Sequence, residues 1–170
     1  MKQLLLIRHA KSSWANVGMS DIERPLNDRG KKDAPEMARR LLQKNIVPQL
    51  LVTSTATRAR TTCETFAFVL DITKKNILET AQLYMAKPAI YREVIAALPN
   101  EAATVALFAH NPGITEFVNE LTHVRIDDMP TCSIFAVNIR CENWKDFEAA
   151  EKTFWFFDWP KNPSSSPAIL

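Results

Sequence analysis

The sequence predicts an α/β fold: a three-layer α/β/α sandwich around a mostly parallel central sheet. Short apolar runs alternate along the chain with longer stretches of helical period, the pattern of strand–helix units with helices on both faces of a sheet. The first run, inside "LLLIRHAKSSW", places four consecutive apolar residues at 4–7, as a strand covered on both faces requires.

The elements follow in order. Apolar runs at 4–7, 49–54, 76–78, 103–109, 133–139 and 152–157 read as six strands. Between them Ala34, Met37, Ala38, Leu41 and Leu42 recur at helical spacing. So do Ala59, Cys63, Phe66, Ala67 and Leu70, and then Ile114, Phe117, Val118 and Leu121. The first four strands are expected to be parallel, and the last two, joined by a short segment, to form an antiparallel edge. Pro35 lacks the N–H that a helix interior uses, so the first helix is expected to kink there or to restart at Asp33. A last strand buried on both faces accounts for the aromatic run at 154–157, leaving Trp14 and Trp159 as the exposed aromatics.

At 170 residues, with 46% hydrophobic and 24% charged side chains, the chain suits one domain, assigned to 1–160, followed by a loosely ordered Pro/Ser-rich tail at 161–170. A net charge of +2 without a dense Lys/Arg run argues against nucleic acid or membrane as partner. No run approaches the roughly 18 apolar residues of a membrane span. Cys63, Cys132 and Cys141 are odd in number and form no C-x-x-C pair, which fits free thiols in a reducing cytoplasm.

Sheets of this kind bind ligands outside the carboxyl ends of their strands. Arg8 and His9 follow the first strand. Ser54, Thr57 and Arg58 follow the second, and His110, Asn111, Pro112 and Gly113 the fourth. With Thr57 as N-cap, Arg58 falls in the first turn of a helix, where a cation opposes the dipole and a bound anion would reverse the sign. Asn111-Pro112 reads as a second helix start, with Pro at the first helical position. Two arginines, two histidines and two helix starts suit a phosphoryl group. Taken singly, each Arg reads as a surface ion-pair partner and each His as a structural residue; their shared sheet edge favours the functional reading. A metal at His9 and His110 has no third ligand at suitable spacing and would lie beside the Arg8 cation.

"LLLIRHAKSSW", "ERPLNDRG", "TSTATRARTT" and "FAHNPG" together resemble the histidine phosphatase superfamily, closest to its small SixA-like branch, typified by phosphohistidine phosphatases. The resemblance runs from Lys2 to about Leu121 and implies a phosphoglycerate mutase-like fold without metal or organic cofactor. It implies that His9 is the nucleophile, that Arg8 and Arg58 grip the phosphoryl oxygens and that His110 completes the pocket. Ser12 and Asn111 are further candidates for phosphate contact, and Lys11 for steering. Larger relatives carry an acidic proton donor after the third strand; Glu79 and Glu93 stand in that region here without matching it. Asp21 and Arg24, near the pocket rim, are expected to pair with each other rather than to face the substrate, Ser54 to cap its turn, and His123 to end a helix; were alkyl phosphates the better substrates, Glu79, Asp21 and Glu23 would be the acids to consider. The implied activity is a phosphatase acting through phosphohistidine on a phosphorylated protein, with a small phosphorylated metabolite as the alternative substrate. A phosphate-binding scaffold is the non-enzymatic alternative.

Overall fold

In β1 (Lys2–Arg8) successive side chains point to opposite faces, and both faces are apolar. Leu4 and Leu6 enter one core, while Leu5 and Ile7 enter the other. The computed structural model describes residues 1–163. β1 is joined in one sheet by β2 (Leu50–Ser54), β3 (Ile77–Thr80), β4 (Thr104–Ala109), β5 (Ile134–Ile139) and β6 (Lys152–Asp158), in the order β3-β2-β4-β1-β5-β6. The first four strands are mutually parallel; β5 and β6 run antiparallel. The expected tail falls, from residue 164 onward, outside the described residues.

Helices α1 (Asp28–Gln43) and α2 (Thr57–Val69) cover one face, packing Met37, Leu41 and Phe66 against Leu5 and Phe108. Helices α3 (Pro88–Ala96) and α4 (Gly113–Leu121) cover the other, packing Tyr91, Ile95 and Phe117 against Leu4 and Leu107. Each such buried side chain stabilises the fold by roughly 1.5–3 kcal/mol, so three layers rather than two are what this sheet needs. The expected sandwich is the observed one.

Five local expectations are corrected. The helix containing Pro35 does not restart at Asp33: α1 runs as one element from its Asn27 cap, whose side chain accepts from Gly30 N–H at 2.9 Å. The one bond that Pro35 cannot donate is outweighed by the apolar face that α1 buries. Ala56, not Thr57, caps α2, and Pro112 stands at the cap of α4 rather than at its first helical position. β6 is an edge strand, half-buried rather than sandwiched. A β-bulge beside Ala136/Val137 turns Phe154 and Phe157 to one core and Trp155 and Phe156 to the other. Trp159 is half-buried, whereas Trp14 is exposed as expected.

Two glycines set how closely the helices approach the loops that carry the site. A Cβ on Gly30 of α1 would run into the Lys11 carbonyl, just past His9, and one on Gly113 would run into the Ala86 carbonyl. Alanine in a helix normally stabilises by about 0.5–1 kcal/mol relative to glycine. Here Gly30→Ala and Gly113→Ala should each instead destabilise by about 1–3 kcal/mol in urea unfolding, because a backbone carbonyl must move. A neutral or stabilising result at either position would contradict this packing.

Candidate active site

Arg8 is register-paired with Ala109 across the parallel β1–β4 ladder, so His9 and His110 leave the sheet side by side. The His9 N–H donates to the Ala109 carbonyl at 3.0 Å, and the two imidazole centroids lie 5.1 Å apart. β2 is the other neighbour of β4, and its last residue, Ser54, brings its hydroxyl within 2.7 Å of His110 Nε2. The same hydroxyl oxygen accepts from the Ala56 N–H at 3.2 Å, so Ser54 both shapes the turn, as expected, and holds the imidazole. Arg58, at the start of α2, brings its Nε to 3.3 Å from His9 Nε2. Residues expected to meet from three distant stretches therefore line one pocket of about 390 Å³, which holds Arg8, His9, Arg58, His110, Ser12 and Asn111.

The hydrogen bonds decide what each imidazole can do. His9 Nδ1 lies 2.7 Å from the Ala10 carbonyl, which only accepts, so the proton sits on Nδ1 and the lone pair on Nε2. Burial, above all, lowers the His9 pKa from 6.5 to about 3; His110, Arg58 and Arg8 lower it further, against the Ala10 bond, which raises it. The arginines thus act in the same direction as desolvation, which is the larger cause. Burial likewise takes His110 to about 3, with Arg58 the next cause. His110 Nδ1 is buried and has no hydrogen-bond partner.

Arg58 is 3% exposed, and its first-turn position next to the helix dipole is answered inside the chain. Its Nη1 donates to the Asp21 carbonyl at 2.7 Å and its Nη2 to the Asp21 carboxylate at 3.0 Å. Asp21 also pairs with Arg24 at 3.2 Å, as expected, and accepts from the Tyr84 hydroxyl at 2.6 Å. Those partners, Tyr84 first and then Arg58 and Arg24, hold the Asp21 carboxyl below the usual range. Arg8 donates to the Met129 carbonyl at 2.7 Å and faces Asp128 at 3.8 Å.

Ser12 and Asn111 line the pocket with their polar atoms already engaged. The Ser12 hydroxyl accepts from Arg24, and Asn111 donates to Asp128 and Met129 while accepting from Thr115. Lys11 is exposed on the pocket lining, and exposed His123 lies just past α4. Glu79 points to Arg60 at 4.0 Å, away from the pocket, and Glu93 is an exposed residue of α3. Tyr84, Met85 and Thr131 also line the pocket and were not anticipated. Tyr84 follows the end of β3 by four residues, so the strand-end rule that found the histidines also reaches it. Among the described residues, no three His, Cys, Asp or Glu side chains group as metal ligands, and no helix is long and apolar enough to cross a membrane.

Both imidazoles are neutral in the fold but protonate in the unfolded chain below about pH 6.5. The unfolded state then binds more protons, so stability falls as pH drops from there toward the folded value of about 3. Between about pH 5.5 and about pH 4, the unfolding free energy of a His110→Gln variant should fall with a slope about 1.4 kcal/mol per pH unit shallower than that of the native chain. Equal slopes would mean that His110 titrates normally.

Known proteins resemble this chain in sequence and fold. The profile of the histidine phosphatase superfamily (branch 1) matches residues 4–83. An uncharacterized chloroplastic protein of Arabidopsis thaliana is 26% identical over 153 residues, 85% of this chain and 70% of that protein. A crystal structure described as a phosphohistidine phosphatase SixA, from Agrobacterium tumefaciens, superposes with a TM-score of 0.76 at 25% identity, over 92% of this chain and 96% of that one. The protein histidine phosphatase SixA in complex with tungstate superposes at 0.79 with 23% identity, over 93% and 97%. The paired strand ends and the facing imidazoles thus stand in a chain whose residues 4–83 match the histidine phosphatase superfamily and whose fold is that of the SixA structures.

Proposed function

We propose that the protein is a metal-independent phosphatase that passes a phosphoryl group through His9, acting on phosphohistidine or another phosphorylated protein residue. The single observation that carries this reading is the His9 tautomer. Its Nε2 carries the lone pair, accepts from the Arg58 Nε–H at 3.3 Å, and stays unprotonated because the ring is buried. A neutral imidazole is a competent nucleophile toward phosphorus and, once phosphorylated, a leaving group that water can displace.

The surrounding charge suits the transfer. Arg8 and Arg58 offer planar donors to the equatorial oxygens, whose charge must be stabilised as phosphorus changes partners. A phosphoryl oxygen would give the buried, unpartnered His110 Nδ1 its hydrogen bond, with the Ser54 hydroxyl holding Nε2. In the first step His9 Nε2 bonds to phosphorus as the leaving group departs; in the second, water takes the phosphoryl group and frees the ring. A protein substrate is supported by the pocket rim, where Trp14 and Met85 stand 74% and 53% exposed and leave the mouth open to a large ligand. The SixA structures that this chain resembles are described, one as a phosphohistidine phosphatase and the other as a protein histidine phosphatase.

Rapid-quench single turnover with labelled phosphohistidine protein should leave acid-labile phosphate on the native chain and none on His9→Ala. Binding without label transfer would favour the phosphate-binding scaffold instead. Faster turnover of small alkyl phosphates than of phosphohistidine would move the substrate to metabolites.

A further inference from the structure

Among the described residues that line the pocket, Asp21 is the only carboxylate. It lies in a short 3-10 turn, Asp21–Glu23, ahead of α1 rather than after β3. One of its oxygens accepts from both the Tyr84 hydroxyl and Arg58 Nη2, and the other from Arg24 Nη1. Through Arg58 it is one guanidinium away from the nucleophilic His9 Nε2. The pocket therefore carries an anion of its own, on one of the arginines that a phosphoryl group needs.

We infer that Asp21 is the proton donor and acceptor of the reaction, a role that extends the phosphatase's range to phosphate esters with poor leaving groups. This rests on the proposed phosphoryl transfer through His9. A phosphoryl dianion on Arg58 brings like charge against the Asp21 carboxylate and withdraws part of the cation that keeps it ionised, so the carboxyl takes up a proton as substrate binds. His9 Nε2 then bonds to phosphorus while the phosphorus–oxygen bond to the leaving group breaks, and the Asp21 proton passes to the departing oxygen. In the second step the Asp21 carboxylate accepts a proton from water as the water oxygen bonds to phosphorus and the His9–phosphorus bond breaks. The carboxylic acid is regenerated and phosphate leaves. Tyr84 is the positioning residue: its hydroxyl holds the Asp21 oxygen toward the pocket, while its ring meets His110 edge-on at 5.6 Å.

The test is leaving-group dependence. Single-turnover phosphorylation of His9 would be measured in the native chain and in Asp21→Asn with phosphoramidate, para-nitrophenyl phosphate, phenyl phosphate and an alkyl phosphate. The loss caused by Asp21→Asn should deepen as the leaving group becomes more basic, and be about 100-fold greater for the alkyl ester than for phosphoramidate. An equal loss on all four would make Asp21 only a support for Arg58 and overturn the proposal, as would no loss on any. Native protein that transfers no phosphate to His9 would overturn the parent reading itself, an outcome visible without the variant.

Tyr84→Phe supplies a second readout. It removes the strongest of the interactions holding the Asp21 carboxyl down, leaving Arg24 on the same turn, Arg58 of α2 and His110 past β4 facing it. The pH–rate limb that reports the donor, read with the alkyl ester, should move to higher pH. A limb that stays in place would count against Asp21 as its source.

Discussion

The site depends on one hydrogen bond, between His9 Nδ1–H and the Ala10 carbonyl. It is made within two adjacent residues, so the backbone that ends β1 also chooses the tautomer. The choice matters because only the nitrogen without a proton can attack phosphorus. Burial completes the constraint: a ring that water reached freely would be partly protonated near neutral pH, and a protonated ring has no lone pair to offer. The core beneath β1 and the reactivity of its last residues are thus parts of one arrangement.

Around this imidazole the charges are balanced rather than merely accumulated. Arg58 could not sit buried at a helix start without an anion. The chain supplies Asp21 by folding the loop after β1 across the pocket, with Gly30 letting α1 close against that loop. Arg8 has Asp128 and the Met129 carbonyl, and Arg24 has Ser12 and Asp21. An incoming phosphoryl group meets donors already aimed and needs little reorganisation of the protein, which is how such a pocket favours charge developing on oxygen. The cost is competition, since Asp21 must yield part of Arg58.

The fold was legible because each strand has an unbroken apolar run and each helix a periodic face; the six strands fall within a few residues of their expected places. The four central site residues were legible because strand ends converge in an α/β sheet, whatever their separation along the chain. Features that depend on geometry across elements were not. The bulge in β6 that splits Phe154–Phe157 between two cores leaves no mark in a run of four aromatics. The passage of α1 through Pro35 depended on how much the rest of that helix buries. Asp21 was read chiefly as a partner for Arg24, because its bond to Arg58 spans 37 residues. Tyr84 stood beyond the weakest strand signal.

The most direct test of this account is the protonation of His9 in the empty protein, followed by nitrogen-resolved NMR of its ring from about pH 8 to about pH 4. The account predicts a neutral ring with its proton on Nδ1 throughout that range. A proton on Nε2 at neutral pH, or a ring that titrates near its ordinary value of 6.5, would contradict it.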